Sequence, residues 1–135
     1  MRNICSREEL VSFPEMKESY KLEYAGYTPD ATAIILLEPL IKDTKIVIVM
    51  GTWCSDSRLY VPHFYKIMDI AGVPPENITL ICVDAEKKAD EGLIEDLNIE
   101  QVPTFIFTIN NKETGRIIES PETTLERDMV NILGK

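Results

Sequence analysis

The sequence predicts an α/β domain with a central mixed sheet flanked by helices and preceded by an N-terminal helical extension. A continuous, largely β-branched apolar run from Ile46 to Met50 is typical of a strand buried on both faces in a parallel region of a sheet. The apolar residues after Cys54 recur at helical spacing until Gly72, and further apolar runs over about 78–83 and 104–109 are typical of strands. Strands that alternate with helices in this way indicate an α/β fold.

Two short helices are predicted near the amino terminus. Ser6 with Glu9, and Ser12 with Glu15, have the three-residue spacing of a capping box. In this motif a serine oxygen and a glutamate satisfy N–H groups at the start of a helix. The α/β pattern begins only after these helices.

The main domain is predicted to begin with a third helix. Thr28 and Pro29 signal its start, because threonine caps helices and proline fits their first turn. The helix runs toward Pro39, which is expected to end or kink it. We therefore interpret residues 1–27 as an N-terminal helical extension and residues 28–135 as the main domain.

The later elements follow from similar signals. Pro62 lies inside the helix after Cys54 and is expected to kink it. The remaining predictions, in chain order, are a strand from Ile78 to Val83, a helix over about 88–97, a strand from Thr104 to Ile109 with a hairpin partner from Arg116 to Glu119, and a last helix capped by Ser120-Pro121-Glu122 and closed by Gly134.

The charge balance restricts the partners. Fourteen basic and 23 acidic residues give a net charge of -9, so a phosphate backbone or an anionic membrane surface would repel most of the protein. Nucleic acid and membrane are therefore not expected as partners. The sequence has neither an apolar signal segment at its amino terminus nor 18 consecutive apolar residues. We expect a soluble, cytoplasmic protein.

Cysteine and histidine usage argues against a metal site. The three cysteines, Cys5, Cys54 and Cys82, are odd in number and lack C-x-x-C spacing, so a reducing compartment fits best. The only histidine, His63, lies nine residues beyond Cys54, or about 13.5 Å along a helix, which is too far for it to act as the base for that thiol. Neither a metal nor another cofactor is expected.

Cys54 is the candidate nucleophile. It follows an apolar strand and opens a helix, where unpaired N–H groups and the helix dipole favour a thiolate. The alternative is an inert cysteine buried at the strand end. Ser57, three residues later, shares its helix face, and its hydroxyl is expected either to donate a hydrogen bond to the thiolate or to be solvated. Ser57 cannot form a disulfide, so a mixed disulfide at Cys54 must await an external thiol.

The chain resembles the thioredoxin family over roughly residues 29–134. The resemblance rests on Gly51-Thr52-Trp53-Cys54-Ser55-Asp56-Ser57, on the helix proline Pro62, and on the tripeptide Val102-Pro103-Thr104 before a strand. It implies a thioredoxin fold of bacterial type, with a cis proline at Pro103 facing Cys54. It also implies that Trp53, Val102, Pro103 and Thr104 line a groove for the extended chain of a substrate. Ordinary packing of Trp53 remains an alternative.

Two departures from the family pattern affect the expected chemistry. Dithiol thioredoxins have a buried aspartate six residues before the nucleophile, and here that position is Ile48. The glutaredoxin-like Gly-Gly-x-Asp segment is also missing, since residues 108–119 contain only Gly115. Glutathione binding, and iron–sulfur ligation through glutathione, are therefore not expected.

Two functions remain open from the sequence. The first is a monothiol thioredoxin-like thiol-disulfide oxidoreductase, in which Cys54 attacks a protein or small-molecule disulfide, or an oxidised thiol, and an external thiol reductant resolves the adduct. The alternative is a redox-silent or regulatory module of the same fold that binds extended peptides beside Trp53 and Pro103, with Cys54 at most an oxidation sensor.

Overall fold

The computed structural model describes residues 1–90 and 92–134. Within these ranges five strands form one sheet in the order β1-β3-β2-β4-β5, and five α-helices accompany it. The elements in chain order are β1 (Asn3–Cys5), α1 (Arg7–Ser12), α2 (Pro14–Gly26), α3 (Ala31–Ile41), β2 (Lys45–Met50), α4 (Ser55–Ala71), β3 (Ile78–Cys82), β4 (Thr104–Ile109), β5 (Lys112–Ile118) and α5 (Leu125–Leu133).

β2 occupies the centre of the sheet. It runs parallel to β3 and antiparallel to β4, and the edge strands β1 and β5 pair antiparallel with β3 and β4. The sheet is therefore mixed, which confirms the predicted fold class. The pairing of Val49 with Thr104 brings the carboxyl end of β2 to the amino end of β4. As a result, the residues after Met50 face those that precede Thr104.

The strand predictions differ from the structure mainly at the edges. β4 has its predicted bounds, whereas β5 begins at Lys112 and is longer than the predicted partner of β4. β1 is absent from the sequence prediction, because three residues with no run of alternating apolar and polar side chains give no strand signal. Its residue Cys5 pairs with Leu80 on β3.

The first predicted capping box is confirmed and the second is wrong. Ser6 accepts a hydrogen bond from the Glu9 N–H at 3.1 Å, and the Ser6 N–H donates to the Glu9 carboxylate at 2.9 Å. The box predicted at Ser12 does not form, because Phe13 is the N-cap of α2 and makes no side-chain capping bond. Pro14 opens α2 in its place, since its fixed φ fits a first helical turn.

The caps of α3 and α5 also lie nearer their helices than predicted. Asp30 caps α3 and Thr124 caps α5, so the caps predicted at Thr28 and at 120–122 are wrong. Each observed cap accepts the hydrogen bond of an N–H group two or three residues later, which fixes the helix start. Pro39 lies inside α3, which continues past it.

Most of the helix predicted over 88–97 is not formed. Among its described residues only Glu95–Leu97 form a short 3₁₀ turn, and residue 91 lies outside the described part of the chain. The carboxylate of Asp84 accepts two backbone N–H bonds that fold the start of this segment into a turn. The described residues of the segment 84–103 therefore connect β3 to β4 largely as an irregular loop.

The two faces of the sheet carry different cores. Ile46 and Ile48 of β2 point into the larger apolar cluster, which includes side chains of all five helices. Val49 belongs to a smaller cluster on the other face, where Trp53 and apolar residues of the segment 84–103 cover the sheet. Alternate residues of a central strand are thus buried on both sides, as the apolar run predicts.

The amino-terminal helices are joined to α4 by a cluster of polar and aromatic side chains. The Arg7 guanidinium donates two hydrogen bonds to Asp69, at 2.7 and 2.6 Å, and lies 4.6 Å from the centre of the Tyr65 ring. The Tyr24 hydroxyl donates to the same carboxylate at 2.5 Å. Burial opposes ionisation of Asp69, but the bonds from Arg7 and Tyr24 outweigh it and lower the pKa of this carboxyl.

Apolar contacts reinforce this attachment. Leu10, Met16 and Tyr20 are buried in the larger cluster, together with residues of the sheet. Burial of Tyr20 raises the pKa of its phenol to about 12. The division of the chain into an extension, 1–27, and a main domain, 28–135, stays a prediction.

Replacing Asp69 with Asn is expected to weaken the attachment of α1 and α2. We expect the free energy of unfolding at pH 7 to fall by about 1 kcal/mol, since the pair is partly exposed. The pKa of Asp69 is lowered by folding, so its stabilising effect is complete above the unfolded pKa of about 4 and is lost as the pH falls through the folded value. Urea unfolding of both proteins at several pH values measures this.

The matched control is Asp43→Asn, at an exposed carboxylate before β2. It is expected to leave the unfolding free energy almost unchanged at every pH. A difference between the protein and its Asp69→Asn variant that stays constant from pH 7 to pH 3 would contradict the assignment.

Candidate active site

Cys54 lies where β2 leads into α4. It is the N-cap residue of α4, with extended backbone angles, and its own N–H donates to the Gly51 carbonyl at 3.0 Å. The side chain is half-buried, so the sulfur is neither sealed in the core nor fully solvated. The Cys54 thiol donates to the Val102 carbonyl at 3.4 Å. The first-turn N–H groups of α4 therefore begin directly after Cys54, although its thiol accepts no capping hydrogen bond from them.

The opposite wall of the site is the turn before β4. The Val102–Pro103 peptide bond is cis, and both residues are buried. The Pro103 carbonyl accepts from the Glu119 N–H at 2.7 Å. Thr104 is buried as well, and its hydroxyl donates to the Gln101 carbonyl at 2.6 Å. The structure thus brings Val102, Pro103 and Thr104 to the same end of the sheet as Cys54.

Trp53 is half-buried beside the thiol. Its indole N–H donates to the Val83 carbonyl at 3.0 Å, and its ring packs on the smaller apolar cluster. The ring also lies close over Gly51, where an added Cβ would be 2.4 Å from it. Only glycine fits at this position without displacing the indole. Trp53 is therefore fixed by packing and hydrogen bonding while one part of it stays accessible.

Ser57 takes a role that neither expectation described. Its side chain is fully buried, so it is not a solvated first-turn serine. Its oxygen accepts a hydrogen bond from the Gly51 N–H at 3.2 Å. Between the described side chains of Ser57 and Cys54, no hydrogen bond is formed. Ser57 therefore supports the backbone that leads to Cys54 and is not bonded to the thiol itself.

Two further side chains hold the same stretch of backbone. Thr52 is buried, and its hydroxyl donates to the Glu15 carboxylate at 2.5 Å. Its carbonyl accepts from the Arg58 guanidinium at 2.9 Å. Sequence reasoning missed both contacts. Arg58 lies six residues after Thr52, beyond the three- and four-residue spacings of helix neighbours, and nothing local links Glu15 to a loop 37 residues away.

The other two cysteines lie on neighbouring strands, Cys5 on the edge strand β1 and Cys82 on the inner strand β3. Cys82 on β3 is fully buried, and burial raises the pKa of its thiol above the usual range. Cys5 on β1 is half-buried, and its thiol donates to the Asn3 carbonyl at 3.2 Å. Cys82 belongs to the larger cluster and Cys5 packs against it, while Cys54 packs against the smaller one. Cys82 matches the expectation of a small buried apolar residue.

His63 is engaged elsewhere. Its Nε2 lies 3.0 Å from the Glu23 carboxylate, and its ring stacks on Tyr27 with the ring centres 4.1 Å apart. These partners belong to the amino-terminal helix α2 and the turn after it. The structure therefore agrees with the expectation that His63 does not serve as the base for Cys54.

The described residues contain no group of three or more His, Cys, Asp or Glu side chains arranged to hold a metal ion. In residues 1–90 and 92–134, no helix combines the length and the apolar character needed to cross a membrane.

The mixed sheet, the cysteine at a helix start and the cis proline opposite it are a combination seen in thioredoxins. The family model for thioredoxin matches residues 37–131, so the chain belongs to the thioredoxin family, a family of thiol-disulfide oxidoreductases. It is 22% identical over 94 residues to thioredoxin H9 of Arabidopsis thaliana. That match covers 68% of this chain and 63% of the relative, so the chain spans less than two thirds of that protein's length.

Solved structures agree on the fold. A Pseudomonas aeruginosa protein of unknown function has a TM-score of 0.64 at 15% identity, over 96% of this chain and 89% of that chain. The thioredoxin of Fasciola hepatica has a TM-score of 0.50 at 23% identity, over 70% of this chain and 89% of that chain. At such identities these similarities describe the fold alone.

Alkylation of the native protein is expected to separate the three thiols. Cys54 and Cys5 are half-buried and should react with iodoacetamide, whereas Cys82 should stay unmodified because it is inaccessible and its pKa is raised. Mass mapping after timed quenching measures each site. Denaturation should expose the third thiol and serves as the control, and modification of native Cys82 as fast as Cys54 would contradict the assignment.

Proposed function

We propose that this protein is a monothiol thiol-disulfide oxidoreductase with Cys54 as its nucleophile. The observation that carries the proposal is the place of the Cys54 sulfur, half-buried at the start of α4 and 3.4 Å from the Val102 carbonyl beside the cis bond to Pro103. The thiolate of a cysteine is the attacking species in disulfide exchange, and a half-buried sulfur at this place can meet a substrate disulfide.

The proposed reaction has two steps. In the first, the Cys54 thiolate attacks one sulfur of a disulfide, a Cys54–substrate disulfide forms, and the other substrate sulfur leaves as a thiolate that takes up a proton. With a sulfenic acid as substrate, water leaves instead. In the second, an external thiol attacks the substrate sulfur of the mixed disulfide, so Cys54 leaves as a free thiol and the substrate is disulfide-bonded to the external thiol. A second external thiol then exchanges with that disulfide away from Cys54, which releases the second substrate thiol and leaves the two external thiols joined as a disulfide. One disulfide is thereby reduced and two external thiols are oxidised.

The absence of an internal resolving thiol supports the monothiol route. Ser57 holds the position of the second cysteine, and its oxygen is occupied by the Gly51 N–H. Ile48, fully buried below the site, supplies no carboxylate for proton transfer. Cys82 is buried in the larger apolar cluster, and Cys5 on β1 packs against the same cluster. Cys54 packs against the smaller cluster, so neither of the other thiols shares its surroundings.

The surface around Cys54 suits an extended chain. Trp53 supplies an aromatic wall, and the Val102–Pro103–Thr104 turn supplies the wall opposite. We propose that a protein or small-molecule disulfide enters between them and that Val102, whose carbonyl the Cys54 thiol contacts, aligns the substrate backbone. A reducing cytoplasm would provide the external thiol.

Replacing Cys54 with Ala tests the function. The protein should catalyse reduction of a fluorogenic peptide disulfide by glutathione, and the variant should fall to the rate of glutathione alone, because no other described thiol faces the groove. Cys5→Ala, at another half-buried thiol, is the matched control and should keep the activity. Equal rates for the protein and its Cys54→Ala variant would instead support the redox-silent peptide-binding module.

A second experiment tests the monothiol route. In a Cys5→Ala background, reaction of Cys54 with a single equivalent of 5,5′-dithiobis(2-nitrobenzoate) should release about one thionitrobenzoate, since no internal thiol attacks the adduct. Adding Ser57→Cys to that background should raise the release to about two, because the new thiol shares the helix face of Cys54. The yellow absorbance of the released thionitrobenzoate measures both reactions. Release of two equivalents while Ser57 is retained would refute the route.

A further inference from the structure

The helical extension reaches the loop that carries Cys54. We define the Cys54 loop as residues 51–54. Glu15, in the first turn of α2, accepts the Thr52 hydroxyl hydrogen bond at 2.5 Å. Thr52 is 1% exposed and Glu15 is exposed at the surface, so the Thr52 hydroxyl is shielded from bulk water and the carboxylate that accepts from it is partly solvated. A charged acceptor makes such a bond shorter and stronger than a neutral one does.

Glu15 is held in place by the helix that carries it. The next residue, Met16, is fully buried in the larger cluster, and Tyr20 is buried one turn further on. Pro14 opens the helix, and a carboxylate in the first turn is favoured by the helix dipole. The Glu15 carboxylate is therefore presented to Thr52 by a packed element and not by a mobile tail.

Thr52 is held from both sides. The extension holds its side chain through Glu15, and α4 holds its carbonyl through Arg58 at 2.9 Å. The chain then runs through Trp53 to Cys54, whose N–H bonds back to the Gly51 carbonyl. A displacement of Thr52 is thereby passed to the Cys54 sulfur within two residues.

We propose that Glu15 is a positioning residue for Cys54: its carboxylate anchors Thr52 and so sets the approach of the Cys54 sulfur to a substrate disulfide. The proposal rests on the proposed function of Cys54 and extends its site beyond residues 37–131, which the family model matches. It gives the amino-terminal helices a role in the chemistry of the site, because nucleophilic attack depends steeply on the orientation of the attacking atom.

The test compares Glu15→Ala with Glu15→Gln in the Cys5→Ala background, where Cys54 is the one accessible thiol among the described residues. The probe is 5,5′-dithiobis(2-nitrobenzoate), and the readout is its second-order rate with Cys54 as a function of pH. Glu15→Ala should slow the reaction by about three- to tenfold. Glu15→Gln should restore the rate to within about twofold with the same pH profile, because its amide oxygen still accepts from Thr52.

Two controls separate positioning from general loss of structure. Glu18→Ala changes an exposed carboxylate of the same helix and should leave the rate unchanged. Thr52→Val should slow the reaction as Glu15→Ala does, and combining the two should add little, since both remove one hydrogen bond. Rates are measured where urea titration shows each variant to be fully folded.

The outcomes are distinct. A Glu15→Ala rate equal to that of the background, or a Glu15→Gln variant as slow as Glu15→Ala, would overturn the positioning role. The attack rate on this probe requires no turnover, so it tests Glu15 even where the glutathione assay shows no catalysis by Cys54. Failure of that assay would overturn the proposed function and leave the effect of Glu15 on the Cys54 sulfur measurable.

Discussion

The antiparallel pairing of β2 with β4 determines where the sulfur of Cys54 lies. Because Val49 is opposite Thr104, the chain that leaves β2 meets the chain that enters β4 at one edge of the sheet. The Cys54 thiol and the Val102 carbonyl come within 3.4 Å there. Ile48 and Val49 are fully buried on opposite faces of the sheet, so a slip of β2 by one residue would place each of them in packing shaped for another side chain.

The geometry of the Cys54 loop depends on partners that lie both near to it and far from it in the sequence. Gly51 is bonded to Ser57, Thr52 to Glu15 and Arg58, and Trp53 to Val83, while Cys54 closes the turn onto Gly51. Each of these bonds satisfies a polar group in a partly or fully buried setting, where an unpaired group would be costly. The half-buried thiol thus lies on a loop whose backbone has little freedom.

The features that the sequence predicts well have local signals, and those it misses are long-range. The strand before Cys54 and the helix after it rest on residues adjacent in the chain. In the segment 84–103, an early turn and packing against the sheet override a helix-like composition. Three-residue spacing fixes the helix face of Ser57 but not its depth of burial. No sequence pattern reveals that the Glu15 carboxylate meets Thr52, because the resemblance to thioredoxins begins only at about residue 29.

β1 has a consequence for the behaviour of the protein at high concentration. The three residues of β1 pair with β3 and so bond to the backbone N–H and C=O groups along its outer side. The side chains of β3 are mostly apolar. Uncovered strand edges of this kind are templates for pairing with other molecules. Because β1 is only three residues long, it leaves a short sheet edge in place of the longer edge of β3, with few backbone groups open to pairing with another molecule.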